Sequence, residues 1–159
     1  MNFFLWRARR NAIPTKQALM KRTIISDPTC ERCKVDIEDQ LHALWSCSEV
    51  DIVWADLTLW DFRSSVNFVD FKQLVSWIVE EGKQLELFVY MAWLVWNQRN
   101  QVRVRVPATA LHQLAEVSRT NLNDAKEEKN LLYICTTNPF FIYIEGEILT
   151  QIIIDAKKS

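Results

Sequence analysis

Three cysteines and one histidine, Cys30, Cys33, His42 and Cys47, follow the spacing C-x2-C-x8-H-x4-C. Thiolate sulfur and imidazole nitrogen are the donors that zinc prefers, and four of them complete a tetrahedral shell. With every position taken by protein, no place is left for an activated water. Zn2+ held here would stiffen structure rather than perform a reaction. A Cys-x-x-Cys can also act as a redox pair, but that chemistry wants the strand-to-helix turn of a thioredoxin-like fold, and no such pattern surrounds Cys30. The fourth cysteine, Cys135, lies far along the chain and has no companion.

The elements that must position these donors are legible around them. Cys30-Glu31-Arg32-Cys33 fits a knuckle whose two thiolates chelate from one tight turn. Glu38 to Trp45 has helical periodicity, with Leu41, Leu44 and Trp45 on one apolar stripe and His42 beside it. His42 and Cys47 are five residues apart, which turns through about 500 degrees in an α-helix and points them in different directions. Both reach one ion only if the helix ends near Ser46. Ser48, with Asp51 three residues on, reads as the cap of a new helix carrying Val50, Val53, Trp54, Leu57 and Trp60.

Upstream, residues 2–11 read as a helix with Phe3, Phe4 and Trp6 inward and its arginines outward. Pro14 breaks it and opens a second helix through Ala18, Leu19 and Met20. Downstream, Asp70 to Glu81 forms a helix that buries Phe71, Leu74, Val75 and Ile78 and stops at Gly82. Gln84 to Gln101 is the most apolar helix. Val102 to Val106 alternates as a brief extended link, and Pro107 restarts a helix through Leu111, Leu114, Val117 and Leu122. Beyond Asn130, three β-prone runs end the chain without amphipathic order.

Composition narrows the function classes. Only 2 glycines argue against a turn-rich β fold and against phosphate-cradling loops, while 7 tryptophans favour a helical core with large aromatic knobs. No serine elbow, glycine loop or recognisably spaced carboxylate pair is present, so the chain reads as non-enzymatic, its acidic residues scattered over solvated helix surfaces. Met-Asn-Phe-Phe-Leu-Trp is followed at once by Arg7, Arg9 and Arg10, which is the wrong order for a signal peptide, and no apolar stretch spans a bilayer. A reducing compartment, nucleus or cytoplasm, follows. Residues 1–29 carry Arg7, Arg9, Arg10, Lys16, Lys21 and Arg22 against Asp27 alone, whereas residues 30–86 have an acidic excess. Arg7, Arg9, Arg10 and Lys16 are therefore candidate phosphate contacts for RNA or DNA, with a solvated helix surface as the plainer alternative. Trp6, beside the arginines, is the tryptophan best placed to stack on a base; for the others core packing is the simpler role.

Phe4-Leu5-Trp6-Arg7-Ala8, Asn11-Ala12-Ile13-Pro14-Thr15, Ser26-Asp27-Pro28-Thr29-Cys30-Glu31-Arg32-Cys33, His42-Ala43-Leu44-Trp45-Ser46-Cys47 and Val53-Trp54 occur in an order that resembles one known family. It is the zinc-binding domain downstream of the reverse transcriptase in plant non-LTR (LINE-type) retrotransposon polyproteins. The resemblance implies that Cys30, Cys33, His42 and Cys47 are zinc ligands, and that a reverse transcriptase or a ribonuclease H-like chain is a partner. Family members begin upstream of Phe3, so it also implies a module lacking its opening segment. The polymerase aspartates and the acidic motifs of ribonuclease H have no counterpart here.

The expected protein is mostly α: a small helical domain with a Cys3His structural zinc knuckle (1–60), a helical continuation (61–106), a linker helix (107–129) and a poorly defined tail (130–159). Its expected function is support of nucleic-acid engagement. The alternatives are a protein-interaction scaffold, docking through an exposed apolar patch on the Leu85 to Trp96 helix, or a retroelement relic without function.

Overall fold

Helix α1 (Asn2–Arg9) buries Phe4, Leu5 and Ala8, which share one face by their spacing of three and four. The computed structural model describes residues 2–127, so the β-prone runs and Cys135 lie outside the described residues. Trp6, expected inward, is 39% exposed, because Leu5 and Ala8 claim the core side and leave the indole beside Arg10. Helix α2 (Lys16–Lys21) starts where Thr15 Oγ1 accepts the Ala18 N–H at 3.2 Å.

Helices α4 (Phe71–Glu80) and α5 (Leu85–Arg103) meet their expectations on the buried side. Asp70 caps α4 by accepting the Gln73 N–H at 2.7 Å, and Phe71, Leu74, Val75 and Ile78 are buried. Helix α5 is the axis of the core, packing against α4 and against the short helical turn that carries His42. It is buried nearly all round at Leu87 to Ala92, Val95 and Trp96, with Leu85, Trp93 and Leu94 half-buried, so no fully exposed apolar residue lies between Leu85 and Trp96. Of the extended link expected over Val102 to Val106, Val102 and Arg103 instead end α5, and Val104 and Arg105 form the turn that follows it. Helix α6 (Leu111–Glu127) begins at Leu111 rather than Pro107 and lays Leu114 and Ser118, both buried, along α5.

One expectation fails between Ser48 and Ser64. A single helix was expected, but the chain makes a 3-10 turn (Ser48–Val50), an irregular bend, a one-turn helix α3 (Leu57–Trp60) and a second 3-10 turn (Asp61–Ser64). Ser48 caps nothing, and Leu57 is exposed. Trp54 and Trp60 are six residues apart, so a straight helix would point them about 120 degrees away from each other. The break lets both enter one cluster, edge to face at 5.2 Å, around Trp45, Phe62 and Phe88. Asp56 resets the chain by accepting the Thr58 N–H at 2.9 Å, and it also pairs with Arg119 of α6.

Four helices end in the same way. Asn11, Thr23, Gly82 and Arg105 each adopt positive φ, and the two amides that follow each helix return to its last carbonyls. Only one of the four is glycine, which is how a chain with 2 glycines still terminates its helices. At Thr23 (φ 58°) a β-branched side chain sits in left-handed geometry.

The core also contains an ion pair that solvated acidic surfaces did not anticipate. Glu38 (2% exposed) pairs with Arg99 of α5 (6% exposed) and accepts the Lys16 N–H at the start of α2 at 2.9 Å. The Arg99 guanidinium lies over the Trp96 ring at 4.8 Å. This pair joins three separate parts of the chain inside the core.

Two stability outcomes follow. Arg99→Met strands the Glu38 carboxylate away from water and should cost about 3–5 kcal/mol, read as a fall in the urea midpoint; a loss below about 1 kcal/mol would contradict the buried pairing. Thr23→Gly should gain about 0.5–1 kcal/mol by relieving left-handed strain, less the entropy of the added glycine. A lower midpoint would count against the strain.

Candidate metal centre

The donor-bearing segments are built by local hydrogen bonding. Between Pro28 and Glu38 the chain doubles back: Glu38 N–H donates to Pro28 O at 2.9 Å, Cys30 N–H to Asp36 O at 2.8 Å, and Thr29 and Ile37 form an antiparallel bridge. Lys34 turns the corner at φ 61°, its N–H on Cys30 O at 3.0 Å. This knuckle presents Cys30 and Cys33 on one side.

His42 and Cys47 come from the second segment. Asp39 Oδ1 accepts the His42 N–H at 2.7 Å and starts a π turn (His42–Ser46) rather than an α-helix. Its closing bond runs from Cys47 N–H to His42 O at 3.1 Å, an i to i+5 link that sets the two residues one above the other. The chain then leaves in extended conformation at Cys47 (ψ 131°), ending the turn at Ser46 as the spacing requires.

The four donor atoms all lie within 4.8 Å of one another. Cys30 Sγ is 4.0 Å from Cys47 Sγ, and Cys33 Sγ is 3.3 Å from His42 Nε2. A tetrahedral ion with metal–sulfur and metal–nitrogen bonds of about 2.3 and 2.05 Å needs donor separations of about 3.6–3.8 Å. These two contacts match after shifts of a few tenths of an ångström, and separations as wide as 4.8 Å close on an ion by about 1 Å. Cys30, His42 and Cys47 are buried and Cys33 is half-buried. Nδ1 of His42 faces the Asp36 carboxylate at 4.0 Å, beyond hydrogen-bond distance, and Nε2 faces the Cys33 sulfur.

Burial works against the Cys33 thiolate, but the backbone N–H groups of Asp36 and Val35, with His42 and Cys30, outweigh it and bring its pKa down to about 6. Cys47 goes the other way. Burial, reinforced by the neighbouring Cys30 and Cys33, pushes it up to about 12. A metal bound at neutral pH would displace the Cys47 proton, and its affinity would fall as pH falls.

Residues outside the ligand set complete the surroundings. Arg32, inside the knuckle, donates to Ala43 O at 3.0 Å, Val95 O at 2.8 Å and Gln98 Oε1 at 2.9 Å, tying the metal loop to α5. Burial disfavours its charge while the Cys47 and Cys30 sulfurs favour it. Trp54 Nε1 donates to Leu44 O at 3.1 Å, and Arg63 donates to Trp45 O. Arg32 and Asp39 carried a faint signal, one inside a chelate turn and one three residues before His42. Arg63 carried none.

The candidate phosphate contacts do not form one free patch. Arg7 is exposed, with Nη2 on Ala12 O at 3.3 Å; Arg10 is exposed and stacked over Trp6 at 4.8 Å; Arg9 is half-buried. Lys16 is 11% exposed at its side chain and lies between Asp27 (3.3 Å) and Glu31 (3.7 Å). Its charge braces α2 against the knuckle.

Replacing one sulfur by oxygen tests the cluster. Cys33→Ser should abolish stoichiometric metal in purified protein and lower its melting temperature, and unchanged metal content would refute the assignment.

Residues 1–54 match the model of the family described as zinc-binding in reverse transcriptase. No curated protein and no solved structure matches the chain. No helix among the described residues is long and apolar enough to cross a membrane. The matched segment contains all four donors and the knuckle, and it ends at Trp54, before Arg63 and Arg99.

Proposed function

We propose that this chain is a structural zinc module of a reverse-transcriptase polyprotein, and that its N-terminal helix engages nucleic acid. The closed set of three sulfurs and one imidazole carries the reading, because it leaves no coordination position for a substrate or a water and suits zinc above harder ions. The match of residues 1–54 to a zinc-binding family associated with reverse transcriptases supports it. The order of motifs from Phe4 to Trp54 supports the finer ascription to a LINE-type plant element.

The nucleic-acid surface is the outer face of α1. Of the seven tryptophans only Trp6 is exposed, and Arg10 lies over its ring with Arg7 on the adjoining turn. An exposed indole beside guanidinium groups offers a stacking plane for an unpaired base and charge for the flanking phosphates. Lys16, held between Asp27 and Glu31, serves the corner instead. A single-stranded RNA or DNA is the partner this surface fits best.

Anisotropy of a labelled oligonucleotide, titrated at several salt concentrations, checks this. Arg7→Glu/Arg10→Glu should weaken binding at least tenfold and flatten the salt slope by about 1.4, at about 0.7 per phosphate contact on single strands. Binding unchanged in the reversed variant would remove α1 as the contact surface.

A further inference from the structure

The Cys47 arm of the metal centre is fastened by a residue outside the matched segment. We infer that Arg63 is a positioning residue for the metal site, fixing the backbone on both sides of Ser46 so that the Cys47 sulfur faces the other three donors. The inference rests on the metal reading above.

A helical turn that stops abruptly leaves carbonyls without intrahelical partners, and here they are buried ones. Arg63 answers Trp45 O and adds a second donor to Cys47 O, which also accepts the Val50 N–H at 3.1 Å. Its Nε and Nη2 donate to Trp45 O at 3.1 and 2.6 Å, and Nη2 also reaches Cys47 O at 3.4 Å. The guanidinium is itself held by Asp51 Oδ1 at 2.5 Å and lies over the Trp45 ring at 5.4 Å, with its side chain only 18% exposed.

The geometry has a direct consequence for the ligand. Cys47 leaves the turn in extended conformation, its N–H held by His42 O and its carbonyl by the Val50 N–H, both at 3.1 Å, while the Trp45 carbonyl just before Ser46 is held by Arg63. Rotation of either flanking plane would swing the Sγ, which lies 4.0 Å from its counterpart on Cys30. The planar fork grips Trp45 O through Nε and Nη2 together while Nη2 also reaches Cys47 O, and a lysine ammonium, a point donor on a flexible stem, cannot reproduce that two-armed grip. A cation at the carbonyl end of a helical turn is also electrostatically favourable. Arg63 lies beyond residue 54, so the metal centre extends past the matched module.

The test uses the full chain, with zinc competed against a chromophoric chelator and Co2+ as a spectroscopic stand-in. Arg63→Met should weaken zinc binding by about 10- to 100-fold and reduce the thiolate-to-cobalt charge-transfer band as the Cys47 sulfur withdraws. Arg63→Lys, which keeps the charge but not the fork, should fall between the two and decides the matter if the methionine variant does not fold. Asp51→Asn, which removes the outer ion pair and leaves the carbonyl contacts, should stay within about threefold of the parent chain.

Arg63→Met or Arg63→Lys binding like the parent, with an unchanged cobalt spectrum, would overturn the positioning role. So would Asp51→Asn losing as much affinity as Arg63→Met, since the effect would then belong to the ion pair. A parent chain that takes up neither metal would instead overturn the metal reading, and the role of Arg63 with it.

Discussion

His42 and Cys47 must face one point although five residues separate them, and α-helical geometry forbids it. The π turn from His42 to Ser46 solves this by widening the coil until its closing hydrogen bond joins the two ligand residues themselves. That solution creates a debt in hydrogen bonding. The carbonyls of Ala43, Leu44, Trp45 and Cys47 need donors in a buried setting, and they find them in Arg32, Trp54, Arg63 and the Val50 N–H. A local demand of coordination is thereby met by residues drawn from the knuckle, the aromatic cluster and the 3-10 turn after α3. This network is why the site and the fold cannot be taken apart.

The same turn delivers the centre of the hydrophobic core. Trp45, between the two ligands in sequence, contacts Trp54, Trp60, Phe62 and Phe88 with ring centroids 4.9 to 6.3 Å apart. The knuckle is joined to α5 twice over, by Arg32 on the Val95 carbonyl and by Glu38 on Arg99. A structural metal contributes on the order of 10 kcal/mol, comparable to the whole net stability of a domain this size. Through these connections, the energy of a bound metal would be transmitted beyond the ligand segment into α5 and the helices packed on it.

Much of this was legible before any coordinates. The ligand spacing, the need for a stop at Ser46, the buried face of α4 and the apolar character of α5 all follow from residue type and period. What escaped were features decided by tertiary competition. Leu5 and Ala8 displaced Trp6 from the core side of α1 because the face that packs is chosen by the neighbour. Trp54 and Trp60 broke an expected helix because both rings had to reach one cluster. Glu38 reads as an ordinary surface acid until Arg99, 61 residues away, is brought onto it. Arg63 has no local signature at all, since the carbonyls it serves are unpaired only because of a turn elsewhere.

X-ray absorption at the zinc edge of the purified full chain examines the coordination shell itself. Three sulfurs at about 2.3 Å and one nitrogen at about 2.0 Å are the expected first shell, in one ion per chain. A shell of nitrogen and oxygen, or protein isolated without any bound metal, would contradict the closed Cys30, Cys33, His42 and Cys47 site on which the fold and its function are here made to depend.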